Sequence, residues 1–148
     1  MPKRAAQRHA GEGTETPSDD AGALAISVAE ALLDMKAEHV RVLDVRGLTS
    51  VTDFMVIATG SGDRHVSAMS DAVRGALRER GREILGSEGS KDSGWMVIDA
   101  ADVVTHVFSR SMRRYYDLDG LWADAAEIEA GGTGARESAK ESAKEGTG

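Results

Sequence analysis

DFMVIATGSGDRH (Asp53–His65) is the stretch from which the fold can be read. Asp53–Thr59 form a short, nearly continuous apolar run bounded by turn residues. That pattern predicts a central strand covered on both faces. Gly60-Ser61-Gly62-Asp63 supply a turn, and Arg64–Arg80 place Val66, Met69, Val73 and Leu77 on one helical face before Gly81 stops the helix. A buried strand that runs straight into an amphipathic helix calls for a layered α/β arrangement.

Working outward, Ala21–Lys36 carry Leu24, Val28, Leu32 and Met35 at helical spacing, with Ser18 or Asp19 placed to cap the start. Val40–Val45 is β-branched and reads as a strand. Downstream of the second helix, Glu83–Leu85 reads as a short strand and Gly86–Gly94 as a polar loop. Trp95–Ile98 and Val103–Phe108 read as strands around a hairpin turn, and Met112–Trp122 as a helix broken or capped near Asp117–Gly120. The order predicts an α/β (α+β) fold, a mixed sheet of about five strands flanked by helices.

The folded domain spans residues 21–123 by composition. Residues 1–20 contain no large apolar side chain beyond Met1, and 124–148 are acidic and of low complexity, with a tandem ESAK. Both segments are expected to be disordered tails, since neither can offset the entropy of ordering. The net charge of −7 has no strongly basic segment behind it, which argues against DNA and against generic binding to phosphate backbone. The absence of cysteine excludes a disulfide framework or a thiolate metal site and fits a reducing, cytoplasmic setting. No apolar run is long enough to cross a membrane. The basic start lacks the apolar segment of a signal peptide, and early acids weigh against a transit peptide.

Few constellations suggest chemistry. Gly60–His65 could hold an anion at a helix start, but it lacks P-loop spacing, and a turn capped by Ser61 or Asp63 is the simpler reading. A nucleotidyltransferase would follow its Gly-Ser with paired metal-binding aspartates, and no D-x-D follows Ser61. Asp44, Asp53, Asp99 and Asp102 sit near strand ends, where turn hydrogen bonds outweigh Mg²⁺ binding as an explanation. His39, His65 and His106 lack metal-ligand spacing, and His106 reads as a satisfied sheet histidine. No nucleophile, base and oxyanion hole assemble, so neither an enzyme nor a cofactor is expected.

The six aromatic residues are informative because three of them fall in YYDLDGLW (Tyr115–Trp122). Arg110, Arg113 and Arg114 before them suit base stacking, but equally the charged face of an amphipathic helix. Tyr115 and Tyr116 differ by about 100° in direction on a helix, so one must be presented outward. Leu118, Leu121, Trp122 and Tyr115 are expected to fasten the last turn to the core, leaving Tyr116 exposed.

Together, DVRGLTSVTDFMVIATG (Asp44–Gly60), Arg64–Val66 and GWMVIDAADVVTHVFSRSMRRYYDLDGLW (Gly94–Trp122) resemble the ribosomal silencing factor family, also called Iojap-like or RsfS. The resemblance covers about Leu24–Trp122. It implies a nucleotidyltransferase-like sheet without the catalytic acids, often homodimeric. It further implies a non-catalytic factor that binds the large ribosomal subunit through its ribosomal protein numbered fourteen. Joining of the small subunit is then blocked, and translation falls in starvation or stationary phase. Assembly of the large subunit is an alternative role, and a nucleotide-binding protein a more distant one. The partner-binding positions the resemblance implies are Trp95, Ala100 and Tyr116. Ala100 is smaller than the residue common there, and Ala101 replaces the usual glycine or asparagine. Truncating Trp95 or Tyr116 is expected to weaken docking while leaving stability nearly intact.

Overall fold

The computed structural model describes residues 15–129, with side chains from Asp20 onward. Two helices, α1 (Glu15–Asp34) and α2 (Asp63–Glu79), alternate with strands β1 (Glu38–Asp44), β2 (Phe54–Gly60), β3 (Gly86–Ser90), β4 (Trp95–Asp99) and β5 (Val103–Ser109). Two short helices, α3 (Arg110–Tyr116) and α4 (Leu118–Leu121), and a strand, β6 (Ala126–Ile128), complete the described residues. The strands form one six-stranded sheet in the order β3-β4-β5-β2-β1-β6. Only β2 and β5 run parallel, because α2 carries the chain back across the sheet between them.

Every residue of β2 is buried, as a central strand requires. One face of the sheet lies under α1 and α2. There Leu24, Val28 and Leu32 of α1 and Val66, Met69 and Leu77 of α2 close over Val42, Phe54, Val56, Ile98, Val103 and Val107. Each such side chain contributes about 1.5–3 kcal/mol relative to exposure. Gly60 lets α2 approach the end of β2, since a Cβ there would lie 2.9 Å from Val66 Cγ2. The opposite face is covered only at one end. Leu43, Val45, Met55, Ile57 and Phe108 form a smaller core there beneath Met112, Leu118 and Trp122.

Three boundaries differ from the sequence reading. The strand placed at Glu83–Leu85 lies instead at Gly86–Ser90, inside the segment read as a polar loop. β3 is an edge strand with every side chain exposed, so its register with β4, from Gly86↔Asp99 to Ser90↔Trp95, comes from backbone pairing and leaves no hydrophobic pattern. The domain extends past residue 123, because Ala126–Ile128 pair antiparallel with β1 and make the sixth strand. At the other end α1 begins at Glu15, so Ser18 and Asp19 fall within the helix. Residues 1–14 and 130–148 of the two expected tails lie outside the described residues.

Candidate functional site

The half-covered sheet face carries the site. Alternation along β4 and β5 brings Trp95, Val97 and Asp99 and, opposite them, Val104, His106 and Phe108 to this face. Trp95 faces Phe108 across the ladder, with ring centroids 5.3 Å apart. Its indole N–H donates to His106 Nδ1 at 3.1 Å. An indole nitrogen can only donate, so the neutral imidazole carries its proton on Nε2. His106 is 9 % exposed, and burial pushes its pKa down from the usual 6.5 to about 4.

Tyr116 reaches this pair from α3. Its ring centroid lies 4.2 Å from that of Trp95, the closest ring pair of the group, and 6.2 Å from that of Phe108. Tyr116 is 42 % exposed, so the Trp95–Tyr116 pair presents apolar surface while resting on Phe108 and His106. The two positions, far apart in sequence, are thus brought together.

Local chemistry explains why α3 lies there. Ser109 caps the helix by accepting from the Met112 N–H at 3.3 Å, and its own N–H donates to the Gly94 carbonyl at 2.9 Å. Gly94 has φ 77, and a Cβ there would sit 2.7 Å from both Met112 Cγ and Ser109 Oγ. The residue before Trp95 is therefore glycine so that α3 can pack against the start of β4. Farther along, the Arg113 guanidinium donates to Asp119 Oδ2 and Oδ1 (2.7 and 3.0 Å), to the His39 carbonyl (3.0 Å) and to Thr59 Oγ1 (2.8 Å). Arg41 Nη1 adds a bond to Asp119 Oδ1 at 2.7 Å. Arg113 and then Arg41 hold the Asp119 carboxyl at about 2.

Two expectations about YYDLDGLW fail. Tyr115 is 74 % exposed and packs edge-on against Tyr116, and Leu121 is 69 % exposed. The residues on the sheet side are spaced four apart, Met112 with the half-exposed Tyr116 on α3 and Leu118 with Trp122 after the break. That break is Asp117, whose left-handed φ of 48 ends α3. Ala100 is also not where a contact residue belongs. It is 2 % exposed, with its methyl group in the core beneath α1 and α2, on the far side of the sheet from Trp95. It offers no side-chain surface to a partner.

The remaining sequence candidates are tied down within the fold. His65 Nδ1 accepts the Ser61 N–H at 2.9 Å, and Nε2 donates to the Met35 carbonyl at 2.7 Å. That fastens the glycine turn to the end of α1 and takes up one of its amides. Gly62, not Ser61 or Asp63, is the N-cap of α2, and no side chain caps it. Asp44 pairs with Arg46 at 2.7 Å, Asp102 with Arg82 at 3.2 Å, and Asp99 Oδ1 accepts the Ala101 N–H at 2.8 Å. Among the described residues no three His, Asp or Glu side chains gather as a metal-binding group. None of the helices described is long and apolar enough to cross a membrane.

Beside the aromatic cluster the same face opens into a cavity of about 370 Å³, bounded by Val51, Met55, Val97, Val104, His106 and Trp122, with Asp99, Glu88 and Thr49 among its polar lining. Its floor follows from the alternation of β4 and β5. Its walls come from the 49–52 segment and from Trp122, which no local pattern connects.

The chain is similar to known proteins over its described length. The sequence model of the family described as "Ribosomal silencing factor during starvation" matches residues 18–147. A protein named ribosomal silencing factor RsfS from Chromobacterium violaceum is 43 % identical over 93 residues, covering 63 % of this chain and 76 % of that one. One of the same name from Halalkalibacterium halodurans is 38 % identical over 102 residues, 69 % of this chain and 87 % of the other. The chloroplastic Iojap protein of Zea mays is 34 % identical over 118 residues, 78 % of this chain and 51 % of that protein. A crystal structure of a Chromobacterium violaceum protein superposes with a TM-score of 0.64 at 41 % identity, covering 71 % of this chain and 85 % of that one. A second, from Bacillus halodurans, gives a TM-score of 0.61 at 35 % identity, with 70 % and 93 % covered. The chain belongs to the ribosomal silencing factor family.

Proposed function

We propose that this protein is a non-catalytic cytoplasmic silencing factor that docks on the large ribosomal subunit through the ribosomal protein numbered fourteen. Once bound, it keeps the small subunit away by volume alone. The observation that carries the reading is the Trp95–Tyr116 pair, two large rings in contact on a half-covered sheet face, with Tyr116 exposed. Interfaces draw most of their energy from a few such anchors, and each contributes on the order of 2 kcal/mol when truncated. The exposed Tyr115 and Leu121 extend the apolar surface. The same surface suits a homodimer in the free protein.

The test is sedimentation with purified large subunits, followed by addition of small subunits. The protein should co-sediment and lower the yield of joined ribosomes; failure to co-sediment sinks the reading. Trp95 packs in the smaller core and holds a hydrogen bond, so Trp95→Ala costs stability as well as docking. Tyr116→Ala is the cleaner variant. It should weaken co-sedimentation ten-fold or more while the melting temperature stays within a few degrees of wild type.

A further inference from the structure

His106 has one satisfied nitrogen and one that is not. Its Nδ1 accepts the Trp95 indole N–H, which fixes the proton on Nε2. No acceptor among the described residues bonds Nε2, although the ring lines the cavity and is 9 % exposed. The two ring nitrogens point to roughly opposite edges. With Nδ1 turned to Trp95, Nε2–H is left for the cavity that the ring lines. Asp99 lines the same cavity, paired with Val104, while His106 is paired with Val97. Asp99 uses Oδ1 on the Ala101 N–H, and its second oxygen has no hydrogen-bond partner among the described residues.

The cavity is thus lined by one buried donor and one acceptor, on residues diagonal to each other on the antiparallel pair. A carboxamide carries the complementary acceptor and donor in one group. Its stem would lie against Val97, Val104 and Met55. Other groups fit less well. A carboxylate would meet Asp99 and Glu88, an ammonium or guanidinium would leave Nε2–H unpaired, and a hydrocarbon would leave both polar groups unpaired.

We propose that this cavity receives the side-chain amide of an asparagine or glutamine from the protein docked on the Trp95–Tyr116 face, the amide oxygen accepting from His106 Nε2–H and its nitrogen donating to Asp99. The identity of the occupant as a docked protein rests on the function proposed above; the amide preference does not.

The full chain, isotopically labelled, is titrated at pH 7 with butyramide and separately with butyrate, following the His106 and Trp122 ring signals by NMR. Butyramide should give saturable shifts with millimolar affinity, and butyrate should bind at least ten-fold more weakly. Asp99→Asn should reverse that order. The asparagine oxygen keeps the Ala101 N–H while its amide turns the second arm into a donor. Equal shifts from the two probes, no shifts, or no reversal would overturn the amide preference. The partner step is read with Val97→Phe, which narrows the cavity beside His106, with unchanged Trp95 and His106 ring signals required to show that their hydrogen bond persists. It should lower co-sedimentation ten-fold or more at unchanged melting temperature. Wild-type co-sedimentation by this variant overturns insertion of a partner amide. If the wild-type protein itself fails to sediment, the docking reading falls, and with it the identity of the occupant, while the butyramide result still decides the preference.

Discussion

At Ala101 the backbone has φ 76, and the Asp102 N–H donates to the Ala100 carbonyl at 2.9 Å. This is a three-residue turn of the strained, positive-φ kind, closing the β4–β5 hairpin. The Asp99 carboxylate on the Ala101 N–H and the Thr52 hydroxyl on its carbonyl (2.9 Å) hold it in place. A side chain pays a steric cost there that glycine avoids. Ala101→Gly should therefore stabilise the protein by about 0.5–1 kcal/mol, net of the added freedom of the unfolded chain. A lower denaturation midpoint for the variant would count against strain at this turn. His106 gives a second expectation. The unfolded imidazole takes up a proton near 6.5, while burial holds the folded one to about 4. Its stabilising contribution is complete above 6.5 and declines as the pH falls toward 4, because the unfolded state then binds the extra proton. Asp99 and Glu88, which share the cavity, are the acids that face it. Urea midpoints of wild type and His106→Gln should converge between pH 7 and 4.5, by on the order of 2 kcal/mol if the residue is responsible.

At the scale of elements, α3 is held in place by polar anchors more than by buried area. It has seven residues and none fully buried, too little for a helix to persist by itself. Ser109 and Gly94 fix its start, and Arg113 fixes its end by spanning α4, β2 and the His39 carbonyl. Removing that guanidinium leaves Asp119 with Arg41 alone and strands two acceptors. Arg113→Ala should cost about 3 kcal/mol. Arg113→Lys should recover only part of that, since an ammonium cannot replace the fork. Chemical denaturation at neutral pH measures both. The sequence already showed the arginines, but as the charged face of a helix. A periodic pattern cannot reveal that one of them turns inward to oxygens on a distant strand. By contrast, β2, β4, β5 and the two long helices were legible because burial imposed a period on them. β3 was not, because an edge of glycine and serine has no buried side to record.

Across the whole molecule, the sheet order separates what stabilises the protein from what it offers to others. Trp95, His106 and Phe108 lie on β4 and β5, toward one edge, and β6 closes the opposite edge beyond β1. The pairing of Trp95 with Tyr116 could be anticipated only from the family resemblance, since contact between residues so distant in the chain follows from how α3 is anchored. β6 was invisible for another reason: three residues with a single large apolar side chain, Ile128, fall below any compositional signal. Its contribution is nonetheless definable. It pairs with Val42–Asp44, packs Ile128 on the helix-side core, and places Glu127 on Arg41 at 2.9 Å. Ending the chain at Ala125 removes those contacts and exposes the edge of β1. The truncated protein should lose about 2 kcal/mol, judged from one half-buried isoleucine and a partly exposed ion pair. Its folded fraction should bind large subunits as tightly as the full chain, because none of the described residues it lost touches the aromatic face. A truncation that left stability unchanged would show β6 to be dispensable. One that abolished docking at temperatures where the protein remains folded would place part of the interface beyond Ala125.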